Sequence, residues 1–178
     1  MDNTTERLII RIMEQQDIEA ARQLHNEHST LFKLADINHV TATQQQRWFE
    51  SISLSATARR YSVLEKQTRE FVGLFRVDDL SYQHRSVCVG LDIVPEKRGK
   101  GYATESFLYF FDYYFNQMGL NRLYLNTLET NDVAVKLYRK LGFIEEGRAR
   151  QAIFRDGQYQ DLIWMSLLRD EYLAKYMG

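Results

Sequence analysis

The stretch Gly90-Leu-Asp-Ile-Val-Pro-Glu-Lys-Arg-Gly-Lys-Gly-Tyr-Ala-Thr-Glu105 leaves this chain few ways to fold. Residues 87–94 form an apolar run, the pattern of a buried strand. Pro95, the only proline in the sequence, stops it. Proline has no N–H to give a ladder. A short basic loop, Arg98-Gly99-Lys100-Gly101, then runs into the longest helical pattern, residues 102–118. Phe107, Leu108, Phe111, Tyr114, Phe115 and Met118 recur there at helical spacing, and Gly119 ends it. A strand, a glycine-bearing turn and a helix in that order present unpaired N–H groups at a helix N-terminus that carries about half a positive charge. With Arg98 and Lys100 added, the loop suits a pyrophosphate.

The rest of the chain builds around this unit. Residues 7–13, 61–65, 71–77 and 122–128 read as strands, the second and third joined across the polar turn 66–69. Residues 80–85 read as a further turn. Asp17 is placed to cap a helix reaching His28, with Ile18, Ala21, Leu24 and His28 on one face. Residues 31–40 have no clear period and read as a loop or a short irregular helix. Thr41-Ala-Thr-Gln44 resembles a capping box opening a helix to Leu54, with Trp48, Phe49 and Ile52 inward. Asn131 or Asp132 caps another helix that carries Ala134, Leu137, Tyr138 and Leu141 on one face and ends at Gly142. A strand begins at Phe143, and residues 148–155 and 159–167 flank the hairpin signal Asp156-Gly157. A short tail helix covers residues 171–176. Hairpins followed by strand–helix–strand–helix predict one three-layer α/β domain, residues 1–178, around a mixed sheet.

Composition narrows the function. A formal net charge of −1 gives no electrostatic footprint for nucleic acid. No apolar run reaches the ~20 residues of a membrane span. The first residues, Met1 to Arg7, lack the order of a secretion signal. The single cysteine, Cys88, fits a reducing cytoplasm and reads as a small core residue in its strand. Ten Phe, 11 Tyr and 2 Trp fit either a large core or a homodimer interface.

Two motifs carry the chemistry. Arg98-Gly-Lys-Gly-Tyr-Ala103 fits Gln/Arg-x-x-Gly-x-Gly/Ala, and is neither a P-loop nor a dinucleotide fingerprint. The second is Asn131-Asp-Val-Ala-Val-Lys-Leu-Tyr-Arg-Lys-Leu-Gly-Phe143. Together, with one helix and one strand between them, they resemble the acetyl-CoA site of the GNAT superfamily of N-acetyltransferases. The resemblance runs from the first strand to Leu167 and implies a GNAT-like fold whose mixed sheet is splayed at its centre. It implies acetyl-CoA as co-substrate and no metal. The backbone of Leu91, Asp92 and Ile93 would pair with the pantetheine arm as an added strand. The pyrophosphate would rest on the N–H groups of Arg98, Gly99, Lys100, Gly101, Tyr102 and Ala103. Asn131 would contact the cofactor arm, and Tyr138 would be the general acid. An amine attacks the thioester, N–H groups of the splayed strand stabilise the oxyanion, and the leaving thiolate takes a proton. A tyrosine with a pKa of about 10 can supply it to a thiol of about 8.5. Where family members often carry a glutamate as base, this chain has Asn126, leaving Glu129 and Asp92 as acids that could act through water.

The acceptor is a primary amine of a small molecule. The tail 154–161 with Trp164-Met-Ser-Leu-Leu resembles spermidine and ribosomal-protein N-terminal acetyltransferases. Residues 31–39, however, hold one acid and one lysine, where spermidine enzymes carry several acids. Gln44-Gln-Gln-Arg-Trp-Phe-Glu50 resembles enzymes acting on nucleotide-linked amino sugars, for which Lys33, His39, Arg47 and Trp48 could serve. The expected acceptor is therefore a nucleotide-linked amino sugar. The alternatives are a polyamine, a protein N-terminus, or a non-catalytic acyl-CoA-binding module.

Overall fold

Alternating apolar segments assemble into a seven-stranded sheet in the structure, a computed structural model that describes residues 3–34 and 37–178. The strands are β1 (Leu8–Ile12), β2 (Arg59–Glu65), β3 (Phe71–Ser81), β4 (Ser86–Ile93), β5 (Arg122–Leu128), β6 (Ile144–Arg155) and β7 (Gln158–Leu168). Their order is β1-β2-β3-β4-β5-β7-β6. Neighbours are antiparallel throughout except β4 and β5, which are parallel. A parallel pair needs a crossover, and the strand–loop–helix unit supplies it. The helices are α1 (Ile18–Asn26), α2 (His28–Leu31), α3 (Ala42–Ser53), α4 (Tyr102–Phe111), α5 (Asp132–Leu141) and α6 (Arg169–Tyr176).

The sheet separates two apolar layers, as the three-layer expectation requires. Leu8, Val63, Phe75, Val89 and Leu123 meet Phe107, Phe110, Phe111, Val135 and Tyr172 on one face. The Phe75 and Phe110 rings stack there with centroids 3.7 Å apart. Each phenyl ring buried in this way contributes about 1.5–3 kcal/mol. On the other face Met13, Ile18, Ala21, Leu24 and Leu74 form a smaller cluster that Trp48 and Phe49 partly cover. Most of the aromatic surplus is thus core, although Tyr82, Phe154, Tyr159 and Trp164 are exposed.

Several elements differ from the sequence reading. α1 stops at Asn26 because Glu27 turns extended (φ −67°, ψ 129°). Its carboxylate accepts from the N–H groups of Ser29 (3.0 Å) and Thr30 (2.9 Å) and caps α2, which takes His28. Ala35 and Asp36, inside the irregular stretch, lie outside the described residues, as do Met1 and Asp2. α3 keeps its capping box, Gln44 N–H to Thr41 Oγ1 at 3.2 Å and Thr41 N–H to Gln44 Oε1 at 2.9 Å. Its buried residue is Gln45, with Trp48 and Phe49 only half-buried. α4 continues as a widened turn over Asp112–Gln117, and Gly119 ends it with φ +64°. Phe110 rather than Leu108 faces the sheet; the two flank opposite sides of the stripe, and Leu108 is exposed. β3 runs to Ser81, which shortens the expected turn. Cys88 is half-buried and alternates with the core residues Val87 and Val89, so it lies on the sheet face opposite the large core. Burial pushes its thiol up to about 11.

Candidate active site

The parallel pair is short. β4 and β5 are bonded only at Ser86–Arg122, Val87–Leu123 and Cys88–Tyr124. Beyond that point β3 holds β4 as far as Ile93, and β7 holds β5 as far as Leu128. Each strand is thus kept by its outer neighbour while the inner edges part. The parted edges border a cavity of about 340 Å³. Leu91, Asp92 and Ile93 line one wall and Asn126 and Thr127 the other, with Asn131, the N-cap of α5, and Tyr138 of α5 beside them. Inner strand edges left unpaired are ready to take an extended ligand arm.

The basic loop closes one end. Gly99 (φ +73°) and Gly101 (φ +84°) are left-handed, which costs other L-residues about 1–2 kcal/mol. Gly101 is the N-cap of α4, and no side chain caps it. The first N–H groups of α4 are therefore not occupied by a capping side chain. Arg98, Gly99, Gly101, Tyr102 and Ala103 all line the cavity. Lys100 does not. Its carbonyl accepts from Arg7 (2.9 Å), whose guanidinium also pairs with Glu105, and its side chain is exposed. Lys97 and Lys33 line the cavity instead. Lys97 is held by Glu65 (2.8 Å) and Glu70 (2.6 Å). Tyr102 donates its hydroxyl to Glu65. Lys97, Tyr102 and Thr68 together bring the Glu65 carboxyl down to about 2. Arg98 donates to Ile93 O (2.9 Å), Ser29 Oγ and Thr30 Oγ1 (2.7 Å), so it ties the loop to α2.

Tyr138 is buried, with Phe107 and Phe143 edge-on to its ring at centroid distances of 5.7 and 5.8 Å. Among the described residues its hydroxyl has no hydrogen-bond partner. Burial pushes the phenol up to about 12, with Arg76 opposing and Asp92 adding to the rise. The group therefore holds its proton throughout the neutral range.

A second cavity of about 370 Å³ lies on the α1–α3 side. Arg76 and Asp92 line both cavities. His25, Trp48 and Arg60 line only the second. Of the acids proposed as base, Glu129 is occupied elsewhere, accepting from Asp161 N–H (3.0 Å) and pairing with Arg148 (3.3 Å). Asp92 is the only acid bordering the first cavity among the described residues. Arg47 and His39 line neither cavity. Sequence reading missed Ser29, Thr30, Arg60 and Arg76. Arg76 had a signal: an arginine inside an apolar strand pattern.

Among the described residues no group of His, Cys, Asp or Glu is arranged to hold a metal ion, and no helix is long and apolar enough to cross a membrane. The family model described as acetyltransferase (GNAT) domain matches residues 7–144. Spermidine N(1)-acetyltransferase of Vibrio cholerae is 29% identical over 168 residues, covering 94% of this chain and 96% of that protein. The Escherichia coli K12 enzyme of the same name is 29% identical over 167 residues, covering 94% of this chain and 89% of its own. The crystal structure of the Vibrio cholerae spermidine N-acetyltransferase in complex with CoA and spermine matches with a TM-score of 0.89 at 28% identity, covering 95% of this chain and 99% of that one.

Proposed function

The chain belongs to the GNAT acetyltransferase family and is an acetyl-CoA-dependent N-acetyltransferase, and on that premise we propose how its residues act and what they acetylate. The observation that carries the reading is the opening between β4 and β5, which joins the glycine loop to Tyr138 through one cavity. Acetyl-CoA supplies a thioester that an amine can attack, with a thiolate as leaving group. The residues present fit it: the unpaired edge at Leu91, Asp92 and Ile93 accepts the arm, and donors that parting the strands leaves free face the carbonyl. Arg98, Gly99, Gly101, Tyr102 and Ala103 form the seat for the phosphates, and Asn131 steadies the arm. Tyr138 keeps a proton at its hydroxyl and hands it to the sulfur. Asp92 takes the proton that the amine sheds, directly or through water.

The acceptor is a small-molecule primary amine entering from the α1–α3 side. Within that class, near-full-length likeness to spermidine acetyltransferases supports a polyamine better than the nucleotide-linked amino sugar expected from sequence.

A CoA-release assay across amine classes tests the activity. Acetylation of at least one among polyamines, amino-sugar nucleotides, free amino acids and N-terminal peptides is expected. Tight acetyl-CoA binding with no release on any of them would replace the enzyme by a binding module.

A further inference from the structure

Arg60 and Arg76 are direct cross-strand partners on β2 and β3. Like charges placed opposite one another in a sheet repel. Each guanidinium has one nearby carboxylate: Arg60 Nη2 lies 2.9 Å from Asp78 Oδ1, and Arg76 Nε 3.2 Å from Asp92 Oδ2. The two are otherwise unlike. Arg60 is fixed, donating also to Val77 O at 2.9 Å, with Trp48 5.7 Å from its guanidinium carbon. Its side chain is only 9% exposed. Arg76 makes no hydrogen bond among the described residues. Its Nε is buried and the approach to Asp92 is not hydrogen-bonded, while the side chain is 37% exposed.

Room has been left for this guanidinium, which is paired with Asp92 but not hydrogen-bonded. Gly90 pairs with Arg76 across β3 and β4, and a Cβ there would come within 2.8 Å of Arg76 Nη2. A row Arg60–Arg76–Gly90 thus crosses three strands and places an unsatisfied fork of donors at the junction of the two cavities. Two arginines and one acid, Asp92, are the Arg, Lys, Asp and Glu side chains bordering the second cavity.

We propose that Arg76, backed by Arg60, recognises an anionic group on the acceptor, so that the amine acetylated carries a phosphate or a carboxylate. This rests on the acyl-transfer reading above and names the substrate class of the same site. A planar guanidinium with free donors binds either anion in bidentate fashion. A polycation would meet the guanidinium face of Arg76, whose single facing carboxylate, Asp92, is already paired with it. In this arrangement the anion sits on Arg76 and the amine lies beside Asp92, the one carboxylate shared with the thioester cavity.

The test compares kcat/KM for a nucleotide-linked amino sugar, an L-amino acid and spermidine in the wild type, Arg76→Gln, Arg76→Lys and Gly90→Ala. The wild type should prefer one anionic amine, and which one distinguishes phosphate from carboxylate. Arg76→Gln should raise its KM at least about tenfold, the value of one charge-assisted contact, with CoA affinity unchanged. Arg76→Lys should recover only part of the loss. Gly90→Ala, which keeps the charge and displaces the fork, should also raise KM. Preference for spermidine in the wild type, undiminished in Arg76→Gln, would overturn the proposal. Should no amine react, the acyl-transfer reading fails by itself. The anion site is then read by Trp48 fluorescence in CoA-saturated protein titrated with UDP and with an N-acetyl amino acid. Saturable binding lost in Arg76→Gln supports it; no binding of either overturns it.

Discussion

At the scale of single residues the acid is the sharpest case. An ordinary tyrosine titrates near 10. Burial takes Tyr138 up to about 12, and its hydroxyl is unclaimed by any partner among the described residues. A general acid works only while protonated, so its contribution is complete below its pKa and is lost as pH rises through it. The kcat profile should therefore show no falling limb from Tyr138 below about pH 10, while the rising limb follows deprotonation of the amine. Tyr138→Phe should lower kcat by about 10²–10³ with acetyl-CoA affinity retained. Equal turnover in the variant, measured by CoA release across pH, would remove Tyr138 from the role. That Gly101, Asn131 and Tyr138 share one cavity was legible because their string is local: each stands at a fixed distance from a cap or a strand end. The place of Arg76 was less so, since it depends on its cross-strand partners, Arg60 on one neighbouring strand and Gly90 on the other. That the Lys100 side chain turns away from the cavity was not legible, because a charge in a loop says nothing of the direction in which two left-handed glycines turn it.

Among elements, β3 and β4 hold the wall of the cleft in place. Gly73 pairs with Ile93, and a Cβ on it would sit 2.2 Å from the carbonyl oxygen of Asp92. That neighbour is backbone, so the strands must separate to admit even a methyl group. Gly73→Ala should cost about 1–3 kcal/mol in denaturant unfolding. It should also weaken acetyl-CoA binding, because Asp92 and Ile93 move with the strand. Wild-type stability together with wild-type affinity would show that this wall is not rigid. The sequence reading located every strand and most helices, because period and caps are short-range signals. It could not see that Glu27 breaks the first helix, since a glutamate caps α2 here through two N–H groups that only the bend brings to it. Nor could period alone reveal that β4 and β5 part after three pairs. That follows from which outer strand holds each edge.

For the molecule as a whole, the parting of β4 from β5 divides the sheet into β1–β4 and β5–β7–β6, joined by three residue pairs between β4 and β5 and by the aromatic core under α4. A ligand arm bonded to the open edges would bridge the halves, and binding to the folded state alone stabilises it by mass action. At a hundredfold excess over Kd that amounts to about 2.7 kcal/mol. For a chain of this length each kcal/mol moves Tm by about 2–4 °C. CoA at that excess should therefore raise Tm by about 5–10 °C. Gly101→Glu should abolish the rise, because a carboxylate at a left-handed position would occupy the phosphate seat and oppose its charge. The variant's own Tm, without ligand, reports the strain of the substitution, so the ligand-dependent part stands separately. An equal rise in Gly101→Glu would locate CoA outside the opening between β4 and β5. The two halves would then owe their alignment to the three β4–β5 pairs and the aromatic core.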